Sequence, residues 1–376
     1  MRSTITVALA LAAGAHGVAV ESESKSKSHV FGRDGAGRGP PSATGNAPPP
    51  RLGKDGAGVL KGPETVPRLG KDDHGVYKGA ELDAKTIAAK FAWYVEQYEK
   101  TYDIEEYAER LKAFALTLRE IHHHEEDHKV GLNKFSDWTS DEFEAYQKYK
   151  PSTKRHAPQT HKTTGKPLPT EVDWRKEGLV ADVKDQGSCG SCWAFAGTET
   201  LESHVALATG SLLTLSEQEY VSCAPNPDGC GGTGGCQGAT AEVLFDYVLQ
   251  AGGAREEDYP YEGKTGTCDE TKLAAPAVNI SGYVVLPRNE YAPLLHAVAT
   301  LGPVAISVDA GWGSYESGVY PAAECGTTID HGVVLVGYGT DAELGMDYWL
   351  VRNSWGADWG EDGYVRLERQ AADAQP

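Results

Sequence analysis

QGSCGSCWAF, residues 186 to 195, is the segment from which the architecture of this chain can be inferred. Four apolar side chains then recur at helical spacing, namely Trp193, Phe195, Leu201 and Val205. Gly210 follows them as a stop signal for the helix. This pattern predicts a helix from Ser191 to about Thr209, with Cys192 in its first turn. There the helix dipole and the free backbone N–H groups favour a thiolate, the nucleophilic form of cysteine.

A base for this thiolate, and a group to orient the base, lie far downstream. His331 opens the apolar run of IDHGVVLVGYG, which is typical of a buried strand, and Asn353 follows a second apolar run in YWLVRNSWG. His331 lies 139 residues after Cys192, a separation that suits a cysteine–histidine pair with a CGSCW signature.

Together these three motifs resemble those of the papain-like cysteine peptidases, and the resemblance extends from about Ala84 to Glu368. It implies that Cys192 attacks the scissile carbonyl, that His331 carries the proton to the leaving amine, and that Asn353 holds the imidazole. It also implies an oxyanion hole made of the Cys192 backbone N–H and the side chain of Gln186. No metal or cofactor is implied.

The same resemblance implies an α+β fold with two lobes. The chain is mainly helical from about Leu168 to Tyr261 and alternates strands with Gly/Asp turns after about Val278, so Cys192 and His331 should face each other across a seam that binds substrate. The peptidase domain is expected over residues 168–376. The residues expected to contact substrate have mostly small side chains: Gly238, Ala239, Thr240, Ala241, Ser307, Ile329 and Gly332. Trp355 is also included; it either covers the Asn353–His331 contact or simply packs in the core.

Four segments are expected before that domain. Residues 1–19 have the composition of a secretory signal peptide, too short to span a membrane. Residues 20–83 are rich in Gly, Pro, Ser and Lys, should be disordered, and contain RLGKDGAGVLKG and RLGKDDHGVYKG. This 17-residue repeat is either an expanded linker or a binding or sorting segment. Residues 84–150 should form a helical inhibitor domain, and residues 151–167 a cleavage linker.

Within residues 84–150, two motifs resemble the inhibitory pro-segment of the family. GLNKFSD, residues 131–137, resembles its second motif in full, whereas the first is matched in part, with Thr117 and Glu125 where asparagines are usual. The positions that do match are Glu106, Arg110, Phe114 and Ile121. The resemblance therefore implies a latent enzyme inhibited by its own pro-segment.

Four histidines in the same predicted helix either form a solvated face or act as a pH trigger for release of the inhibitor. They are His122, His123, His124 and His128. Consecutive histidines on a helix point in different directions, which argues against a metal site.

The resemblance implies disulfides Cys189–Cys236 and Cys223–Cys268, which leave Cys192 as a thiol. Cys230 and Cys325 either pair with each other or both stay unpaired. The usual partner of Cys325 lies in a last strand that the ending RLERQAADAQP does not reach. This shortened C-terminus would also remove one wall of the pocket for the second residue before the scissile bond.

A net charge of −19 and a pI near 5.1 argue against nucleic acid or an anionic membrane as a partner. The expected partners are polypeptide substrates, and the chain is expected to be a monomer in the secretory pathway, in a lysosome or vacuole or outside the cell. Asn279 heads a glycosylation sequon, although a buried strand edge explains it equally well.

Three functions are compatible with these motifs. The first is a cysteine endopeptidase of the cathepsin L type, made as a zymogen. The second is a dithiol oxidoreductase, since CGSC at a helix start is also a redox motif. The third is an inactive papain-like homologue that binds rather than cuts. No pair of adjacent histidines follows residue 168, so an endopeptidase is preferred to a dipeptidase.

Overall fold

The computed structural model describes residues 7–10, 82–124, 128–150, 159–161, 163, 165–273 and 276–370. The rest of the expected signal peptide, nearly all of the low-complexity region and most of the cleavage linker lie outside the described residues. The first described element is a strand, β1 (Val7–Ala10). Among the described residues, none of the helices combines the length and hydrophobicity that a bilayer span requires.

The segment after residue 82 forms a small helical domain. It contains α1 (Ala84–Gln97), α2 (Ile104–His123), β2 (Lys129–Val130) and α3 (Ser140–Tyr146). Asp83 and Asp103 cap the N-termini of α1 and α2, and Thr139 and Glu142 form a capping box on α3. Apolar residues of α1 and α2 form the core: Ile87, Phe91, Tyr94, Phe114 and Leu118.

Asp137 is a buried hub of this helical domain. Its carboxylate accepts hydrogen bonds from the hydroxyls of Tyr94, at 2.8 Å, and of Tyr102, and it pairs with Lys100 at 3.2 Å. Because a buried carboxylate needs such partners, Asp137 ties α1 to the chain that follows GLNKF.

One lobe of the larger domain is helical. It contains α4 (Cys192–Thr209), α5 (Glu217–Cys223), α6 (Ala241–Ala251) and a short 3-10 helix (Glu270–Leu273). Helix α4 begins and ends where the sequence predicts, since Ser191 is its N-cap and Gly210 ends it with a left-handed φ of 75°. It is buried almost throughout, which explains why apolar and small residues occur all around it.

The other lobe is built on a sheet. Its elements are β3 (Gln159–Thr160), β4 (Val172–Asp173), β5 (Tyr283–Val285), α7 (Tyr291–Thr300), β6 (Val304–Val308), β7 (Tyr315–Ser317), β8 (Val319–Tyr320), β9 (His331–Thr340), β10 (Asp347–Arg352) and β11 (Tyr364–Glu368). The strand order is β3-β5-β1-β6-β9-β10-β11-β8, with β4 also paired to β9. This is the predicted α+β architecture of a helical half and a sheet half.

Two short strands attach the small helical domain and the segment that follows it to the sheet lobe. Strand β2 pairs antiparallel with β7, and β3 pairs parallel with β5. The helical lobe meets the sheet lobe where α4 packs against β9. Both disulfides lie in the helical lobe and are the pairs that the resemblance implied, Cys189–Cys236 and Cys223–Cys268.

Candidate active site

Cys192 is the first residue of α4 and is fully buried. The backbone N–H groups of Trp193 and Gly332 donate hydrogen bonds to its sulfur. Gly332 follows His331 on β9. Folding therefore brings the predicted nucleophile from one lobe next to the strand that carries the predicted base.

His331 is held by Asn353 and Trp355. Its Nε2 lies 2.8 Å from the Asn353 Oδ1, and its ring stacks on the Trp355 indole with ring centroids 4.9 Å apart. All three side chains are buried. Since an amide oxygen can only accept, Nε2 carries the proton and Nδ1 is the basic nitrogen. Within the described residues, this Nδ1 has no hydrogen-bond partner.

Burial disfavours the charged forms of both Cys192 and His331. Burial raises the pKa of the Cys192 thiol to about 12, although the backbone donors from Gly332 and Trp193 oppose that rise. Burial also lowers the pKa of His331 to about 4, against the opposing effect of its bond to Asn353. The thiolate expected from the helix dipole is therefore not the favoured form here, because removal from water outweighs the dipole and the donors.

Gln186 is fixed on both sides of its amide. Its Nε2 donates to the Cys189 carbonyl at 3.0 Å, and its Oε1 accepts from the Ser354 hydroxyl at 2.6 Å. Its backbone N–H also donates to the Ser354 carbonyl, at 2.9 Å. Ser354, which follows Asn353, was not singled out from the sequence. These bonds orient the Gln186 amide group next to the start of α4.

The chain after α3 crosses the seam between the lobes. The Tyr149 backbone N–H donates to the Asp330 carbonyl at 3.3 Å, and that of Lys150 donates to the Gly231 carbonyl at 3.0 Å. The Lys148 carbonyl passes so close to Gly238 that a Cβ there would lie 2.2 Å away. The seam is therefore occupied by the chain itself.

The side chain of Tyr149 fills a pocket in this seam. Its walls are Trp193, Ala196, Ala241, Glu242, Ala305, Ile306, Ser307 and Gly332. Three predicted substrate contacts are among them, namely Ala241, Ser307 and Gly332. The wall residue Glu242 was missed, because its apolar neighbours in the sequence give no sign that its carboxylate faces a pocket.

The other predicted contacts lie around this pocket. Ile329 lines a neighbouring cavity of about 1070 Å³ between the pro-segment and the sheet lobe. Ala239 and Thr240 are buried at the start of α6, where both approach the backbone of Gly231. Trp355 does not line the Tyr149 pocket. It covers His331 and packs against three pro-segment rings, those of Phe135, Phe143 and Tyr146.

The cysteine pairing excludes one sequence interpretation. Cys189 is bonded to Cys236 and not to Cys192, so CGSC does not form the pair that a dithiol oxidoreductase requires. The suggested pairing of Cys230 with Cys325 is also wrong in this structure: no disulfide joins them, since Cys230 lies in one core cluster and Cys325 is partly buried against another.

The histidine cluster is not a single helical face. Helix α2 ends at His123, so only His122 and His123 lie within it. His128 is buried and packs against Tyr320, with Nε2 3.7 Å from the Glu324 carboxylate of the sheet lobe. The prediction of a solvated face is therefore wrong for His128.

Comparisons with known proteins agree with this geometry. Residues 168–375 match the family described as papain family cysteine protease, and residues 91–143 match the cathepsin propeptide inhibitor domain. The chain is 46% identical over 248 residues to the oryzain beta chain of Oryza sativa subsp. japonica, covering 64% of this chain and 52% of that protein. It is 39% identical over 305 residues to cysteine proteinase RD21A of Arabidopsis thaliana, covering 77% and 64%. The chain thus spans about half to two thirds of the length of these relatives.

Solved structures of zymogens are similar over most of the chain. Digestive procathepsin L 3 of the Tenebrio molitor larval midgut has a TM-score of 0.68 and 33% identity, covering 76% of this chain and 95% of that one. A recombinant stem bromelain precursor has a TM-score of 0.67 and 33% identity, covering 76% and 93%.

Proposed function

This chain belongs to the papain family of cysteine proteases, and from that premise we propose that it is a cysteine endopeptidase made as a latent zymogen. One observation carries the proposal. Asn353 holds the His331 Nε2 at 2.8 Å and leaves Nδ1 without a partner among the described residues, while the next residue on β9 donates to the Cys192 sulfur. A basic nitrogen and a thiol are thereby set in one seam.

The reaction follows from these positions once the pro-segment leaves. His331 Nδ1 takes the thiol proton, and the Cys192 thiolate attacks the scissile carbonyl carbon. The Cys192 backbone N–H and the Gln186 amide stabilise the oxyanion. The imidazolium then gives its proton to the leaving amine, which departs and leaves an acyl-enzyme. Water, activated by His331 as base, hydrolyses that thioester, which releases the carboxylic acid product and returns the Cys192 thiol.

Latency has a direct structural basis in the same proposal. Residues 84–150 are the inhibitor domain, residues 151–167 the linker to be cut, and residues 168–376 the peptidase. Tyr149 and its neighbours occupy the seam, so a substrate cannot enter while they remain.

The proposal also includes transport through the secretory pathway, to a lysosome, vacuole or the extracellular space, as a monomer that cuts polypeptides. The signal-like composition of residues 1–19 supports this route, as do two disulfides, which form in oxidising compartments.

The test uses a cysteine-directed epoxide inhibitor and a peptide blocked at both ends. We expect the acid-processed chain to cut the blocked peptide and to be labelled on Cys192, and we expect both properties to be lost in His331→Ala. Labelling that survives in His331→Ala, or a processed chain that is neither labelled nor active, would contradict the proposal.

A further inference from the structure

The pocket filled by Tyr149 is closely matched to one side chain. Tyr149 is only 3% exposed, and a cavity of just about 10 Å³ remains around it. Most of the residues that line it with Tyr149 are apolar: Trp193, Ala196, Ala241, Ala305, Ile306 and Gly332. A phenol ring therefore fits this pocket, whereas an indole would have to displace its walls.

The inner end of this pocket is polar. The Ser307 hydroxyl donates to the Tyr149 hydroxyl at 2.6 Å, and Ser307 itself is buried. The negative charge of Glu242 and the positive charge of Arg288 both act on the phenol. A neutral hydroxyl suits this position, because a cationic side chain would be attracted by one of these charges and repelled by the other.

The pocket adjoins the nucleophile. Trp193 follows Cys192 in α4, and Gly332, which donates to the Cys192 sulfur, is a wall of the pocket. A side chain bound here belongs to a residue close to the scissile bond. By the resemblance to the family, it is the second residue before that bond.

We propose that Ser307 makes the processed enzyme select tyrosine at the second residue before the scissile bond. The inference rests on the proposed function and deepens it. Phenylalanine fills the same apolar walls but leaves the buried Ser307 hydroxyl without its partner, which costs binding energy. Leucine loses the ring contacts as well, and arginine brings a second cation towards Arg288.

The first test uses four blocked peptides that differ only in carrying Tyr, Phe, Leu or Arg at this residue. The full-length chain is processed in acid, its active sites are counted with the epoxide inhibitor, and kcat/KM is measured for each peptide. We expect tyrosine to exceed phenylalanine by about three- to tenfold, the size of one net hydrogen bond, and both to exceed leucine and arginine. Equal values for tyrosine and phenylalanine would overturn the inference.

Two serine variants identify the source of the preference. In Ser307→Ala we expect the ratio of tyrosine to phenylalanine to fall to about 1. Ser203→Ala is the matched control, because Ser203 is also buried but donates to the Glu199 carbonyl within α4, at 3.0 Å. It should keep the ratio of the natural chain. An unchanged ratio in Ser307→Ala would overturn the role of Ser307.

A measurement on the zymogen is independent of catalysis. Tyr149→Phe and Ser307→Ala each remove one end of the 2.6 Å bond, so each should loosen the pro-segment and speed alkylation of Cys192 in the unprocessed chain. We expect Cys192 to be alkylated no faster in the double variant than in the single variants. Additive increases in the alkylation rate would show that the two residues do not act through this bond. Epoxide labelling with no selectivity among the peptides contradicts only this inference, whereas absence of labelling and cleavage contradicts the proposed function.

Discussion

At the residue scale, burial by the pro-segment governs the chemistry of Cys192. Because burial raises the pKa of its thiol to about 12, the reactive thiolate is scarce at neutral pH in the intact chain. Removing the pro-segment restores water to the seam, which weakens the cause of that rise. If the proposed function holds, the segment over residues 84–150 would inhibit by desolvation as well as by obstruction.

We therefore expect iodoacetamide to alkylate Cys192 slowly at pH 6 in the intact chain and at least about ten times faster after processing, since each unit of pKa changes the thiolate fraction tenfold. In the intact chain the rate should keep rising above pH 9. Mass spectrometry of the Cys192 peptide measures the rate, and Cys192→Ser gives the background from other thiols. Equal rates at pH 6 before and after processing would contradict the desolvation argument.

Gln186 allows a second prediction at this scale. Its amide is oriented by the 2.6 Å bond from Ser354 and is proposed to stabilise the oxyanion. We expect Gln186→Ala to lower kcat by roughly 100- to 1000-fold with little change in KM, as for other oxyanion donors, and Ser354→Ala to have a smaller effect. Steady-state kinetics provide the check. Gln250→Ala, on the exposed face of α6, should behave as the natural chain.

At the element scale, strand β3 holds the linker between inhibitor and peptidase against the sheet edge. Besides the pairing of β3 with β5, the residue after β3 contacts the sheet lobe: the His161 Nε2 lies 2.9 Å from the His296 Nδ1 of α7, and the ring centroids are 4.9 Å apart. Burial, and then the charge of His296, lower the pKa of His161. The docked linker therefore disfavours a protonated His161.

This lowered pKa fixes the sign of a pH effect. A docked His161 binds fewer protons than a released one, so docking is fully stabilised above about pH 6.5 and is lost as the pH falls below it. We expect hydrogen exchange at the Thr160 amide, corrected for the intrinsic rate, to accelerate below pH 6.5. His161→Gln should remove this acceleration, whereas His123→Gln, on the exposed side of α2, should retain it. Acceleration that persists in His161→Gln would show that another group controls release.

The longer elements were predictable from local pattern. Helix α4 has an apolar repeat and a stop at Gly210, and β9 is one apolar run, so their burial is encoded by their own residues. The two-residue strands β2, β3, β4 and β8 were not predicted, because only pairing with distant partners makes them strands. The motifs and their separation along the chain did identify Cys192 and His331 as candidate catalytic residues. By contrast, the burial that shifts the pKa values of Cys192 and His331, and the Ser307–Tyr149 bond, depend on what the fold brings together.

At the scale of the whole molecule, a buried charge network lies inside the helical lobe next to the sheet. Lys184 pairs with Glu202 at 2.7 Å and with Glu217 at 2.6 Å, and Arg352 of β10 pairs with Glu199 at 3.2 Å. Burial raises the pKa of Glu217 to about 8 and that of Glu199 to about 7, although the nearby cations oppose it. Three carboxylates face two cations, so the fold favours a protonated carboxyl group.

The network predicts how stability changes with pH. Raised carboxyl pKa values mean that the folded chain binds more protons than the unfolded chain, so this stabilisation is full below about pH 4.5 and is lost as the pH rises through 7 and 8. Between pH 6.5 and 8 we expect the Tm to fall by at least about 3 °C, which is on the order of 1 kcal/mol for a domain of this size. Histidines with lowered pKa values, such as His204, change charge below this window in the folded chain; in the unfolded chain they lose their last protons just above pH 6.5, so they oppose the fall only at its lower end.

Glu217→Gln isolates the contribution of that carboxyl group. Glutamine resembles the protonated form, so the variant should show a smaller fall in Tm between pH 6.5 and 8, as measured by calorimetry. Glu257→Gln is the control, since Glu257 is exposed and its weak pairing with Arg255 carries little energy. An undiminished fall in Glu217→Gln would place the pH dependence elsewhere.

The location of the disulfides has a practical consequence for anyone handling the protein. A reducing agent that keeps the proposed nucleophile Cys192 as a thiol can also break the two disulfides, and both of them brace the lobe that carries Cys192. Cys223 and Cys268 are partly accessible to solvent, whereas Cys189 is buried, so the bridge between the accessible pair should open first. Prolonged storage in excess dithiothreitol would therefore inactivate the preparation gradually, beginning at the surface of the helical half while the strands opposite stayed intact.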